Sequence, residues 1–403
     1  MSEFDFLLAQ YTKKGNPKVH GVLAKCIDKN GNEIYSKISG YDSLSIDASP
    51  LREDAVFKLA SATKLMTSIA LLQCVDRGLI DLDEPLSKII PELDGKEVLT
   101  AGPGTDFTSE PSKHKITARH LLTHTSGLAY RLVQFVQPAL MAWTATPAGQ
   151  EHKNKNSKVV TEKYNTPLVF EPGDGWAYGS SLDWAGVVVS RLHNGMSLED
   201  YMIENIWKKV GLSSPFPTFA ISRDPEYAAR LMQGAERTSD GHLKANDFPY
   251  LDNPQGQEGG SGLASTAKDY LAVLGDLISD SPKLLKPETI SEMFTPQIAA
   301  DSPSIPMLMQ LRPAWDNVSG PVSGDSVNHG LGGLLLLGDA PEIRQPKNIL
   351  AWSGAPNIIW FACKEAGVAG FFATQVSPFG EPEARKLIYA WKKDFWDTFK
   401  SKL

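Results

Sequence analysis

Apolar, β-branched runs lie near both ends of this 403-residue chain, and their positions limit how the chain can fold. Residues 19–27 and 33–38 flank an Asn30-Gly31 turn, a pair typical of a β-hairpin. Near the other end, four further runs separated by turn residues are predicted as strands: 330–337, 349–352, 357–363 and 368–376. We therefore predict one antiparallel sheet assembled from both ends of the chain.

The middle of the chain has a helical pattern instead. Apolar residues at three- and four-residue spacing predict helices over 62–77, 116–122, 130–143 (interrupted at Pro138), 182–194, 198–210, 266–278, 287–294 and, at the end, 383–400. Residues 148–163 are polar and lysine-rich, which favours a mobile insertion or lid, and residues 235–260 are predicted to be a loop.

A chain of this length usually exceeds a single core, so we expect two lobes. The predicted fold class is α/β (α+β): an antiparallel sheet flanked by helices, plus an inserted, mainly helical lobe. Residues 1–80 and 285–403 would form the α/β domain and residues 81–284 the helical domain, with a cleft between them.

Charge and cysteine content exclude several classes of function. Forty basic and 47 acidic side chains give a net charge of −7 without a basic run, so neither nucleic acid nor a membrane surface is an expected partner. We see no signal peptide and no apolar run long enough to span a bilayer, and we expect a cytoplasmic protein. Cys26, Cys74 and Cys363 are expected to be reduced and buried, and no metal site is predicted.

Three Ser-x-x-Lys tetrads are the first candidates for catalysis. Ser61 and Lys64 follow an apolar strand and begin a nearly all-apolar helix, one turn apart on the same face. A hydroxyl becomes a good nucleophile when a neighbouring base takes its proton. Ser112 lies in a polar loop, and Ser265 is predicted to be the N-cap of a helix. Ser61 is therefore the predicted nucleophile.

Two distant motifs complete a resemblance to a known family. Ser61-Ala62-Thr63-Lys64 resembles the active-site tetrad of the serine β-lactamase and penicillin-binding protein superfamily. Tyr178-Gly179-Ser180 fits its second element, Tyr-x-Asn/Ser, and Trp352-Ser353-Gly354 fits the Trp-x-Gly form that its esterase relatives have as the third.

The resemblance narrows to the esterase and acyltransferase branch, and within it to fungal polyketide acyltransferases of the statin type. The stretches that carry it are 59–65, 121–128, 176–179, 182–186, 330–333 and 356–360. It is weakest at 131–163 and 301–325, the stretches expected to shape a substrate pocket.

The resemblance implies a mechanism and its residues. Ser61 would attack an ester or thioester carbonyl, while Tyr178 with Lys64 beside it would accept and return the proton. Which of the two is the base is left open. The backbone N–H groups of Ser61 and Ala355 would form the oxyanion hole. No cofactor is implied.

Further residues are candidates for substrate contact. Tyr130, Trp176, His329 and Phe379, together with Trp352-Ser353-Gly354, are expected to line the cleft, although each aromatic ring also fits an ordinary core position. His124 is predicted to hydrogen-bond a helix end rather than to act as a base.

The leading hypothesis is a serine acyltransferase. It would move an acyl group from a thioester or ester donor, such as an acyl carrier or acyl-CoA, to a hydroxyl of a hydrophobic, polyketide-like small molecule. The alternative is an esterase that uses the same acyl-enzyme. A β-lactamase or D-Ala peptidase fits less well because the third motif has no lysine, and a non-catalytic binding protein would not need Ser61, Lys64 and Tyr178 together.

Overall fold

Both ends of the chain form one sheet, as predicted. A computed structural model describes residues 1–103, 106–131 and 137–400. The strands are β1 (Gly21–Asp28), β2 (Glu33–Gly40), β3 (Val56–Lys58), β4 (Glu97–Ala101), β5 (Phe107–Pro111), β6 (Ala235–Arg237), β7 (Leu243–Ala245), β8 (Ala264–Thr266), β9 (Val327–Gly330), β10 (Gly333–Leu336), β11 (Ile349–Gly354), β12 (Ile358–Cys363), β13 (Val368–Ala373) and β14 (Val376–Ser377). The large sheet has seven strands in the order β2-β1-β13-β12-β11-β10-β9, and all its neighbours are antiparallel.

Helices cover this sheet and form the middle of the chain. They are α1 (Glu3–Tyr11), α2 (Thr63–Asp76), α3 (Ala118–Thr123), α4 (Pro138–Ala145), α5 (Pro147–Lys155), α6 (Val160–Lys163), α7 (Ser181–Leu192), α8 (Leu198–Met202), α9 (Pro225–Ala228), α10 (Ala267–Ile278), α11 (Pro287–Met293), α12 (Ser304–Met309), α13 (Arg312–Ser319) and α14 (Pro382–Lys400).

Alternate residues of the central strands face two different helices. Phe371 of β13 lies 5.0 Å from Tyr270 of α10, measured between ring centroids. The next residue, Phe372, lies 5.5 Å from Trp391 of α14. Successive side chains of a strand point to opposite faces, so both faces of the sheet are covered. This explains why the central strands read as continuous apolar runs.

Helix α2 is the buried axis of the molecule. Every residue from Thr63 to Cys74 is buried, and the helix packs against α7. The predicted helix and its central position are thus confirmed. A helix covered on all sides excludes water from any polar side chain that it carries, which decides the environment of Lys64.

The structure corrects several predictions. The predicted strand over 330–337 is two strands, β9 and β10, because the chain reverses at Gly332, where φ is 100°. Helices α5 and α6 lie over the stretch 148–163, whose role as a mobile insertion or lid stays a prediction, and residues 235–260 contain the short strands β6 and β7. The β4–β5 hairpin, α12 and α13 were not predicted. The predicted helix over 130–143 includes positions 132–136, outside the described residues, and α4 begins at Pro138 instead of being interrupted there.

The proposed division into two domains stays a prediction, with one adjustment. Helix α10 falls within the predicted helical domain, yet it packs on β1, β12 and β13 of the large sheet. All three cysteines are buried, as predicted. Within the described ranges, no helix is both long and apolar enough to cross a bilayer.

Candidate active site

Ser61 lies where a short strand leads into the central helix. Strand β3 pairs with β8, and a 3-10 turn at Ala60–Ala62 connects β3 to α2. Ala60 has a φ of 46°, in the left-handed region that residues with a Cβ seldom adopt. Backbone strain of this kind costs about 1–3 kcal/mol and is frequent at active sites. The turn places the partly buried Ser61 on the wall of a large cavity.

The ammonium group of Lys64 is buried beside Ser61. Lys64 is only 3% exposed, and its Nζ donates to the carbonyl oxygen of Gly260 at 2.8 Å. Longer contacts join Nζ to the Ser61 Oγ at 3.3 Å and to the Tyr130 Oη at 3.4 Å. Three oxygen acceptors therefore replace the water that Lys64 loses on burial.

Tyr178 contacts the same hydroxyl from the other side. Its Oη donates to the Ser61 Oγ at 2.5 Å, and the Lys64 Nζ lies 4.7 Å from the centre of its ring. The sequence-predicted trio Ser61, Lys64 and Tyr178 is thus brought together. A proton can pass between Ser61 and Tyr178 without any movement of the chain.

Gly354 allows strand β11 to approach the Ser61 turn. A Cβ at position 354 would lie 2.1 Å from the carbonyl oxygen of Leu59, so only glycine fits this contact. The contact brings the next residue, Ala355, to the wall of the cavity that Ser61 lines. Ala355 and Ser61 thus line the same cavity, and their assignment as the oxyanion hole remains a prediction.

A buried carboxylate, which the sequence did not identify, lies behind Lys64. The Asp183 Oδ2 accepts from the Tyr130 Oη at 2.8 Å, and Oδ1 accepts from the Gly260 N–H at 2.9 Å. Burial, reinforced by the charge of Glu258, raises the pKa of Asp183 to about 6, although the Lys64 cation opposes this. Asp183 lies in the stretch 182–186 that carried the family resemblance, which was the available signal.

The cavity itself has a volume of about 1100 Å³. Of the predicted substrate-contact residues, Tyr130, Trp352, Ser353 and Phe379 line it. Trp176, His329 and Gly354 are not among the residues that line it, and their contact with substrate stays a prediction. Much of the wall comes from stretches where the resemblance is weakest; these residues are Arg131, Met141, Thr144, Lys153, Lys163, Gln310, Leu311, Pro313, Ala314, Trp315 and Asn317.

Trp176 and His329 belong to a buried aromatic layer behind Trp352. The Trp352 ring lies 5.7 Å from the rings of both Tyr178 and His329, and it lies 5.5 Å from the ring of Trp315. Burial lowers the pKa of His329 to about 4, so this ring is neutral. The layer supports the orientation of Tyr178 by packing rather than by substrate contact.

His124 hydrogen-bonds the end of helix α3, as predicted, and it does so through its backbone. Its N–H donates to the His120 carbonyl oxygen, at a φ of 60°. The ring packs 5.1 Å from that of Tyr178, and its Nδ1 has no partner among the described residues. Burial, followed by the charges of His329 and Lys64, lowers its pKa well below the usual value. A neutral packing role follows.

The other two Ser-x-x-Lys tetrads lie away from the cavity. Neither Ser112 nor Ser265 lines it. Ser265 is in strand β8 opposite Phe57, and the N-cap of α10 is Thr266, whose hydroxyl accepts from the Asp269 N–H at 3.1 Å. The predicted cap was therefore wrong by one residue, because strand pairing continues through Ser265.

The comparisons with known proteins agree with this fold and site. The Beta-lactamase family model matches residues 14–393, so the chain belongs to that family. Its relatives place it among the acyltransferase and esterase enzymes of the family.

Three relatives illustrate this. The acyltransferase calJ of Penicillium decumbens is 58% identical, over 100% of this chain and 99% of the relative. The lovastatin esterase of Penicillium rubens is 35% identical, over 89% of each chain. The solved structure of a simvastatin synthase (LovD) mutant from Aspergillus terreus superposes with a TM-score of 0.85 at 31% identity, over 99% of this chain and 95% of that one.

Replacing Gly354 tests the approach of β11 to the Ser61 turn. The added Cβ of Gly354→Ala would meet the Leu59 carbonyl oxygen and push β11 away. We expect a loss in kcat of about 100-fold, the usual effect of losing one oxyanion donor, measured with a p-nitrophenyl ester. Gly275→Ala is the matched control, because its Cβ would meet only the flexible end of Ile27. Equal activity of both variants would contradict the role of Gly354.

Replacing Asp183 tests the buried carboxylate. Its pKa is about 6 in the folded protein and near 3.8 when exposed. Its stabilising neutral form is therefore complete below pH 4 and is lost as the pH rises through 6. Between pH 4 and 7 we expect the parent to lose on the order of 2 kcal/mol of its free energy of unfolding relative to Asp183→Asn. Urea denaturation at a series of pH values measures this difference. Parallel curves would contradict this, and Asp47→Asn controls for the loss of an exposed carboxylate.

Proposed function

We propose that this protein is a serine acyltransferase that moves an acyl group from a thioester or ester donor to a hydroxyl of a hydrophobic small molecule. The single observation that carries the proposal is the position of the Ser61 Oγ, 2.5 Å from the Tyr178 Oη and 3.3 Å from the Lys64 Nζ. An acyl carrier or acyl-CoA is the proposed class of donor.

The reaction proceeds in two halves. Tyr178, with Lys64 beside it, takes the Ser61 proton while Oγ forms a bond to the carbonyl carbon. The carbonyl oxygen becomes negative and is held by the N–H groups of Ser61 and Ala355. The thiol or alcohol of the donor then leaves with the proton from Tyr178. In the second half, the acceptor hydroxyl gives its proton to Tyr178 and attacks the acyl-enzyme, and the Ser61 Oγ leaves with the proton that Tyr178 returns to it.

The walls of the cavity support a large, apolar substrate. Met141, Leu251, Leu311, Trp315 and Phe379 line it, and its volume of about 1100 Å³ exceeds that of a small ester. The names of the relatives support acyl transfer as well. They include calJ and a monacolin J acid methylbutanoyltransferase of Aspergillus terreus.

Ester hydrolysis is the second candidate, and two observations favour it. The third motif, Trp352-Ser353-Gly354, has the esterase form, and a relative 35% identical over 89% of this chain is named a lovastatin esterase. The acyl-enzyme would be the same, with water in place of the acceptor hydroxyl.

Labelling of Ser61 tests the acyl-enzyme. A short-chain p-nitrophenyl ester should leave an acyl adduct on the peptide that contains Ser61, detected by mass spectrometry. Ser61→Ala should lose the adduct because it has no nucleophile.

The matched control is Ser265→Ala, which removes another serine of a Ser-x-x-Lys tetrad, one that is buried away from the cavity. It should keep the adduct. An adduct that persists in Ser61→Ala would refute the nucleophile assignment.

The fraction of the acyl group that goes to an added alcohol rather than to water distinguishes acyl transfer from hydrolysis. With an acyl thioester as donor, we expect consumption to rise at least about tenfold when a suitable hydrophobic alcohol is added, because the alcohol occupies the apolar cavity and competes with water. Thiol release and ester formation are measured together across a panel of alcohols. Equal consumption with and without every alcohol would favour the esterase.

A further inference from the structure

Basic side chains gather on one part of the cavity wall, near helix α5. Arg131 and Lys153 line the cavity together with Ser61. His152 is next to Lys153 in the chain, and its Nε2 lies 2.9 Å from the carbonyl oxygen of Glu162. Lys96 hydrogen-bonds the side chain of Asn165. The charges of Arg131, Lys96 and Lys155 all act on the His152 ring.

These cations differ from Lys163, the third cation that lines the cavity. The Lys163 Nζ lies 2.5 Å from the Glu258 Oε1 and is neutralised. No ion pair with a described carboxylate involves the exposed Lys153 or the half-buried Arg131 and Lys96. Most of the other buried or half-buried basic side chains in the described ranges have such a partner. Positions 132–136, next to Arg131, contain no acidic residue in the sequence.

Two nitrogen atoms of this cluster are buried without a partner. The Arg131 Nη1 and the His152 Nδ1 make no hydrogen bond with any described residue. An unpaired buried polar atom costs about 1–3 kcal/mol. Burial lowers the pKa of Arg131, and it lowers that of Lys96 to about 8. Both pKa values are lowered because no nearby negative charge compensates for burial.

We propose that Arg131, assisted by Lys153 and Lys96, forms an anion subsite that binds a carboxylate or phosphate group of a substrate in the cavity. The subsite's place in catalysis rests on the proposed acyl transfer at Ser61. A guanidinium presents parallel N–H donors that match both anions, and such charge-assisted hydrogen bonds are stronger than neutral ones. A carboxylate would belong to the acceptor or the acyl group, and a phosphate would belong to a carrier or coenzyme A donor.

Binding to Ser61→Ala, which has no nucleophile, tests the subsite apart from the chemistry. Two matched pairs of probes separate the two sources of the anion by calorimetry. For the carboxylate, 10-hydroxydecanoate is compared with its methyl ester; for the phosphate, coenzyme A is compared with pantetheine.

The charged member of at least one pair should bind about tenfold more tightly or better, as expected for a hydrogen-bonded ion pair in a partly buried site. Adding Arg131→Gln should reduce that preference below about threefold, and Arg131→Lys should restore part of it. Lys364→Gln, which changes an exposed lysine between β12 and β13, outside the cavity wall, should leave the preference unchanged.

Absence of any preference for the charged members, or a preference that survives Arg131→Gln, would overturn the subsite. Failure of the parent protein to form a Ser61 adduct would instead refute the proposed function, because the binding measurements need no adduct.

Discussion

The buried ammonium of Lys64 is the constraint on which the site depends. Helix α2 is covered on all sides, so Lys64 cannot reach water and needs oxygen acceptors within the protein. Removing a charge from water costs several kcal/mol unless partners replace the solvent. The shortest of these hydrogen bonds runs from the Lys64 Nζ to the Gly260 carbonyl oxygen, at 2.8 Å. The same requirement keeps the Ser61 and Tyr130 hydroxyls near the amine, so satisfying a buried charge also assembles a nucleophile.

Local sequence patterns predicted the parts of the site that lie on a single helix or strand. Ser61 and Lys64 lie one helical turn apart, and the apolar strand and helix around them have clear periodicity. The sheet was predictable because buried strands are continuous apolar runs with Asn-Gly or Gly-containing turns between them. Tyr178 and Trp352 were found through the family resemblance, since their distance in sequence gives no physical signal.

Contacts between distant segments were not predictable from one sequence. Gly260 reaches Lys64 across 196 positions, and Asp183 is identified as important only once Tyr130 and the Gly260 N–H are seen to donate to it. Helix α13, which brings Trp315 to the cavity, has a proline in its first turn and Gly320 at its C-cap, but its eight residues are too few for a clear helical repeat. An aromatic residue near a motif fits either the wall of a cavity or the hydrophobic core, and the sequence cannot separate the two. Trp176 was predicted to contact substrate, and in the structure it is buried in the core.

The loop around Glu258 has a consequence for how such enzymes diversify. Its carboxylate holds Lys163, at the end of the variable segment that lines the cavity, and two residues later its Gly260 carbonyl holds Lys64. Its backbone is packed so closely that a Cβ at Gly259 would lie 2.4 Å from the Leu182 carbonyl oxygen. Substrate range and catalytic rate are thus mechanically linked traits. A segment grafted between relatives would have to bring its own version of this loop, and selection for a new substrate would act on the rate at the same time.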